Sequence, residues 1–370
     1  MEEKESYKRI KRGKMDFWIF ITILILSAIG TIMVFSSSAA FAYSRFGDIY
    51  YFLRRQIAWL AVGFGAMLFT ANFDYRKYAK LTPMAFGLTI PLLIATLFTA
   101  PINGATRWLG PFQPSEVLKI TLVMFLAYLM SKNYKKMGSF IHGFLPYVGI
   151  TGVLCVILIM QPHFSAALIL VLVTAIMMVV AGSKIRHFVI PTAVVVPAVV
   201  AFVMTQTAHI VPRVLSFVDP FADKSDSSWQ IVQSLYAIGS GGMFGRGIGR
   251  SLQKYLYLPE PYNDFILSIL AEELGFIGVT AVIFIFGLLI WRGFKVANNA
   301  PDRFGSLLAV GLTAIIAVQV VINIAVVTSS MPVTGMPLPF FSYGGTSLVF
   351  MLAGMGILLN ISRYANYEKF

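Results

Sequence analysis

Ten separate stretches of this chain are too apolar for a water-soluble fold. Residues 17–35 carry no charged side chain and are long enough to cross about 30 Å of hydrocarbon as a helix, and nine comparable stretches follow. Backbone groups in lipid must find their hydrogen bonds within the protein, so runs of this length can only be membrane helices. The spans are predicted at 17–35, 57–71, 83–98, 114–130, 140–160, 164–182, 188–205, 265–291, 306–327 and 343–361. Composition agrees, with 58% hydrophobic and 12% charged residues against about a quarter charged in soluble domains. The expected fold is an all-α polytopic membrane protein with about ten transmembrane helices. One membrane domain covers 1–370, with a cytoplasmic arm at 1–16 and a large extracytoplasmic loop at 207–264, between the seventh and eighth spans.

Orientation follows from lysine and arginine. With the N-terminus inside, nineteen of the 29 basic residues fall on inner segments, so both termini are expected in the cytoplasm. The net charge of +13 therefore reflects topology and contact with anionic lipid, and implies no nucleic-acid partner. Cys155, the single cysteine, excludes an internal disulfide. The four histidines show no ligand spacing, which argues against structural zinc. The inner segments Asp74 to Tyr78 and Asn298 to Arg303 read as solvated caps.

The chemistry concentrates in the long polar excursion ending in Leu258-Pro259-Glu260-Pro261-Tyr262-Asn263-Asp264. A carboxylate where a loop meets lipid is partly desolvated, while a helix N-terminus favours its ionised form. Those opposed effects suit a general base at Asp264, although a plain N-cap accounts equally well for its position. Glu272 lies about 12 Å further along the same helix and cannot share a target atom with Asp264. Adjacent Glu272 and Glu273 at that depth need a cation if both are to stay charged. Glu116 and Lys119 stand three apart on one helix face and can pair, either structurally or against a substrate. Arg246, Arg250 and Lys254 recur every four residues, and a helical segment would align them for a pyrophosphate. Gly245, Gly247 and Gly249 oppose that helix. Arg213 and Lys224 add charge to the same loop, Arg107 stands beside Trp108, and the Pro- and Gly-rich run Met331 to Thr346 is expected to line the site as non-helical backbone. Pro191 and Pro197 mark the seventh span as a bent wall.

Taken in order, Asn103 to Trp108, Gln113-Pro114-Ser115-Glu116 with Lys119, Trp229 to Ser234, Ser251 to Lys254, Leu258 to Phe265, Glu272 to Gly275 and Pro337 to Gly345 resemble the SEDS (shape, elongation, division and sporulation) family, the group containing FtsW, RodA and SpoVE. The resemblance covers nearly the whole chain. Asn323 to Thr328 and Pro332 to Gly335 look more like FtsW and SpoVE than RodA. His163 departs from a common acid, and Asn263 from a common threonine. The resemblance implies a multi-pass protein of the bacterial cytoplasmic membrane. Its implied activity is that of a peptidoglycan glycosyltransferase polymerising lipid II at the outer face, beside a class B penicillin-binding transpeptidase. Asp264 matches the family's essential acid. In that reading Arg213, Arg246, Arg250, Lys254, Glu260, Arg107 and Ser342 bind substrate, with a divalent cation (Mg or Mn) as the one cofactor expected. Two other classes stay open: a lipid II flippase using a polar path of Glu116, Lys119, Glu272 and Glu273, and a non-catalytic scaffold for the transpeptidase.

Overall fold

The computed structural model describes residues 13–100, 105–189, 193, 217, 220–221, 226–255 and 257–366. The seventh expected span, with Pro191 and Pro197, falls largely outside them, as do Arg213, Lys224 and Asn103-Gly104. Among the described residues the chain is helical apart from turns and one isolated bridge between Leu109 and Phe112. The main helices are α1 (Phe17–Phe46), α2 (Tyr51–Asn72), α3 (Tyr75–Ala95), α4 (Pro114–Lys132) and α5 (Leu145–Met160), then α6 (Phe164–Val180), α7 (Asp226–Gly241), α8 (Ile266–Asn299), α9 (Arg303–Val327) and α10 (Gly345–Ser362). Eight described helical stretches are long and apolar enough to cross a membrane, and α6 is a shorter apolar ninth. The protein is an all-α polytopic membrane protein.

Local chemistry sets the boundaries. Asp16 accepts a hydrogen bond from the Ile19 amide at 3.1 Å and caps α1; Asp302 does the same for α9 through Gly305 at 2.8 Å. Several spans are longer than hydropathy indicates, α1 and α3 among them. α1 continues past Phe35 through Ser36-Ser37-Ser38 until Gly47, whose φ of +69° supplies the left-handed C-cap. α3 begins at Tyr75 and runs through Pro83 and Pro91, where the sequence suggested a start at 83.

α9 is the central helix, packing on α4, α6 and α8. α2 and α10 form the tightest pair: a Cβ at Gly356 would lie 2.0 Å from Thr70 Oγ1, and one at Gly345 2.3 Å from the Trp59 ring. Small residues allow such approach where lipid gives no hydrophobic drive between helices.

The two ends of the described chain meet, with the Gly13 amide donating to the Arg363 carbonyl at 2.8 Å. The last residues of the arm are docked, because Asp16 is buried against Arg292 and Ser362. Here one sequence reading changes. The Asp74 to Tyr78 segment is not simply solvated: Tyr75 is fully buried and its hydroxyl donates to Asp302.

Candidate active site

At the far end of α1 the chain enters residues 257–265, a series of turns. Tyr262 anchors them, its ring 4.4 Å from Phe52 and 5.6 Å from Phe41. The run 328–344 is non-helical, and its backbone groups are answered by side chains and neighbouring turns. Asn323 donates to both the Met336 and Asp264 carbonyls at 2.8 Å. Ser342 accepts from the Leu338 amide at 2.8 Å and donates to the Asn263 carbonyl at 2.7 Å, while the Tyr343 amide donates to Tyr262 at 2.9 Å. Ser165, in the first turn of α6, donates to the Thr334 carbonyl. Ser342 therefore ties one loop to the other.

These contacts fix Asp264 from both sides. The N-cap position of α8 is Phe265, without any side-chain cap, so the capping alternative for Asp264 is excluded. Asp264 is half-buried, and a Cβ on Gly335 would stand 3.3 Å from its Oδ2. Burial, reinforced by the negative charge of Glu260, raises its pKa to about 6, and Arg107 pulls in the opposite direction. Glu260 has a φ of +43° and accepts from Asn263 Nδ2 at 2.8 Å, which turns the loop back on itself.

Arg107 reaches this end of the bundle and donates to the Pro162 carbonyl. His163, the next residue, is buried; desolvation first, then Arg107 and Lys119, hold its pKa well below the usual value, so its ring is neutral. Beneath it Lys119 and Glu116 form a buried ion pair at 2.8 Å. The pair faces α9 and α10 at Leu312, Ile315 and Met355, an interior setting in which Lys119 and Glu116 satisfy each other.

Glu272 and Glu273 each find a cation. Arg246 approaches Glu272 at 3.8 Å, and Lys254 approaches Glu273 at 3.1 Å. Glu272 also accepts from the Ser251 hydroxyl and the Leu252 amide, the latter at 2.9 Å; Glu273 accepts from Ser36 at 2.6 Å. The four-residue spacing of Arg246, Arg250 and Lys254 therefore does not become a helical stripe. Gly245, Gly247 and Gly249 all have positive φ, and the segment folds as turns clamped by the two glutamates. Lys254, a substrate-binding candidate by sequence, is buried and occupied by Glu273, whereas Arg250 is exposed.

The same segment repairs a break in α8. Gly275 has φ +69° and ψ −171°, a conformation open in practice only to glycine. The interruption strands backbone groups on both sides, and residues 242–247 take them up: Arg246 and Gly247 amides donate to Glu272 and Glu273 carbonyls at 2.9 and 3.0 Å, and Phe276 and Ile277 amides donate to Gly242 and Met243 at 2.9 and 3.2 Å. Sequence reading missed this entirely, as it missed Ser36; three consecutive serines in an apolar span carry no sign of their partner. Gly335 belonged to a run already marked as lining, but its place opposite Asp264 was not legible.

A broken helix, the turns that close its break and a partly desolvated carboxylate give a polytopic membrane protein with a candidate site at one end of the bundle. The model of the FtsW, RodA and SpoVE family, described as cell cycle protein, matches residues 16–367. Stage V sporulation protein E of Bacillus subtilis strain 168 is 42% identical across 96% of this chain and 99% of its own length. The probable peptidoglycan glycosyltransferase FtsW of Geobacter sp. strain M18 is 38% identical across 94% of this chain and 96% of its own. A chain from a solved peptidoglycan synthase complex, described as coordinating polymerization and crosslinking, superposes with a TM-score of 0.77 at 28% identity, over 94% of this chain and 98% of that one. The chain belongs to the FtsW, RodA and SpoVE family of peptidoglycan synthesis.

Proposed function

We propose that this chain is a peptidoglycan glycosyltransferase that polymerises lipid II at the outer face of the bacterial cytoplasmic membrane, in cell division or sporulation, beside a class B penicillin-binding transpeptidase. The observation that carries this reading is Asp264, a carboxylate whose pKa is raised to about 6 within reach of an arginine's field. A base poised just below neutral pH is ionised in use yet still takes a proton effectively.

In the reaction, the acceptor sugar's hydroxyl oxygen bonds to the donor's anomeric carbon while the bond from that carbon to the lipid pyrophosphate breaks. Asp264 takes the hydroxyl proton. The pyrophosphate leaves with the bonding electrons and needs positive charge rather than a proton. Arg107, whose charge acts on Asp264, is the described cation best placed for this, with the exposed Arg250 and with Arg246, shared between Glu272 and solvent, as further candidates. Arg213 keeps the role expected from its sequence position. A Mg or Mn ion, if the reaction uses one, would be held by Asp264 and Glu260 and would supply further positive charge for the leaving pyrophosphate; two carboxylates alone leave a hard cation under-coordinated. Among the described residues no three His, Cys, Asp or Glu side chains converge on one point.

The deciding experiment uses purified protein with lipid II in detergent, where there is no leaflet to flip across. Glycan chains from the natural protein and none from Asp264→Asn support the enzyme. No chains from either, with the transpeptidase also supplied, would leave transport as the better reading. An Asp264→Asn protein that still polymerises would remove the base from Asp264.

A further inference from the structure

The 257–265 turns have a second side. Asp264 faces Gly335 and Arg107, but Tyr262 packs on Phe41 near the end of α1, and alongside that contact a gap separates α1 from the 248–255 loop. The gap is a cavity of about 430 Å³, lined by Ile32, Phe35, Ala39 and Tyr43 from α1 and by Ile248 and Tyr255 from the loop. That volume is in the range of small-molecule sites. Its shape is not that of a compact ligand: from Ile32 to Tyr43 the lining follows α1 for about 16 Å, roughly one leaflet of hydrocarbon. Ile32, Tyr43, Ile248 and Tyr255 are each more than half exposed, so the groove opens sideways between helix and loop.

The lining is mostly apolar, and its serine and its lysine are already taken. Ser36 and Lys254 line it, but both bind Glu273, at 2.6 and 3.1 Å. Apart from the Tyr43 and Tyr255 hydroxyls, the remaining lining is suited to hydrocarbon. Beside it, Arg250 follows the lining residue Gly249, is exposed, and has no ion-pair partner among the described residues. An apolar groove of leaflet depth beside an available guanidinium is complementary to a long chain ending in phosphate. The loop that walls it leads within ten residues to Asp264.

Resting on the glycosyltransferase reading, we infer that the groove between α1 and residues 248–255 holds the polyprenyl chain of a lipid-linked pyrophosphate substrate, with Arg250 at its charged end. The substrate is thereby anchored on the α1 side of the loop. Ala39 sets the depth, since its methyl group leaves the space a larger side chain would fill.

The test is photocrosslinking of the full-length protein in phosphatidylcholine nanodiscs by undecaprenyl pyrophosphate with a photoreactive group in its chain. The expected label falls on residues 32–43 or 248–255 and is competed by unlabelled undecaprenyl pyrophosphate but not by phosphatidylglycerol. Ala39→Trp should cut labelling and raise the KM for lipid substrate about tenfold, with kcat retained; Ile248→Trp, from the exposed loop side, gives the same result should Ala39→Trp fail to fold. Label confined to other segments, equal competition by phosphatidylglycerol, or a folded Trp variant with unchanged labelling and KM would each overturn the groove. Labelling needs no turnover, so it can succeed where polymerisation fails. Conversely, glycan synthesis with an unlabelled groove discards this inference and leaves the enzyme standing.

Discussion

At Asp264 two requirements conflict. A base must be ionised near neutral pH, yet burial and Glu260 favour its protonated form. Because the folded-state value, about 6, lies above the ordinary carboxylate value of 3.8, the folded protein binds this proton more tightly than the unfolded chain. The contribution to stability is therefore complete below about pH 4 and turns into a penalty as pH rises through 6, up to about 3 kcal/mol. Asp264→Asn should unfold at a higher temperature than the natural protein at pH 7.5, with the difference vanishing near pH 4. Thermal unfolding in detergent at the two values checks this, and a lower melting temperature at pH 7.5 would contradict it. Polymerisation by the natural protein should fall as pH drops through about 6, which a kcat/KM profile would read. Lys119 and Glu116 behave differently, since each is buried and neutralised by the other. Lys119→Met or Glu116→Gln alone should cost about 3–5 kcal/mol by leaving an unpaired buried charge, and the double variant less than either. A double-mutant cycle on unfolding measures the coupling; additive losses would show that the pair is not a unit.

Among the elements, α8 departs furthest from an ideal helix. Its break at Gly275 needs a glycine for its dihedral angles and again for room, because a Cβ there would lie 2.3 Å from the Gly245 amide nitrogen. Gly275→Ala should detach residues 242–247 from the break and release the Arg246 and Lys254 contacts with the two glutamates. Limited proteolysis of the loop should become at least several-fold faster as its protection is lost; a cleavage rate equal to that of the natural protein would mean the loop is held by other means. The sequence pointed to Glu272 and Glu273 as acids in need of cations, and to the glycines as an obstacle to a helical stripe. It could not say that the same glycines carry the loop across α8, since hydrogen bonds between residues about 30 apart leave no local periodicity.

Over the whole molecule, the two ends of the bundle carry different work. Asp264 and its partners crowd one end, and near the ends of the described chain Asp16 pairs with Arg292 and Tyr75 bonds Asp302. Removing a buried hydrogen bond remote from the site should lower stability and spare chemistry. Tyr75→Phe is expected to cost about 1–3 kcal/mol while leaving KM and kcat unchanged, as unfolding and glycan synthesis measured on one preparation would show. A changed kcat would instead reveal coupling between the ends. Hydropathy was enough to place nine of the ten expected spans on described apolar helices, because a helix in lipid closes its hydrogen bonds within its own turns and so declares itself locally. Residue chemistry likewise singled out Asp264 as a desolvated acid and Glu116 with Lys119 as a pair three residues apart. Which cation meets which glutamate, why Lys254 is buried while Arg250 is exposed, and what stands opposite Asp264 were decided only when α1, the 242–265 segment and residues 328–344 came together. Those contacts join residues far apart in the chain, and their partners are chosen by packing and by the need to satisfy every buried polar group, neither of which acts within a single span.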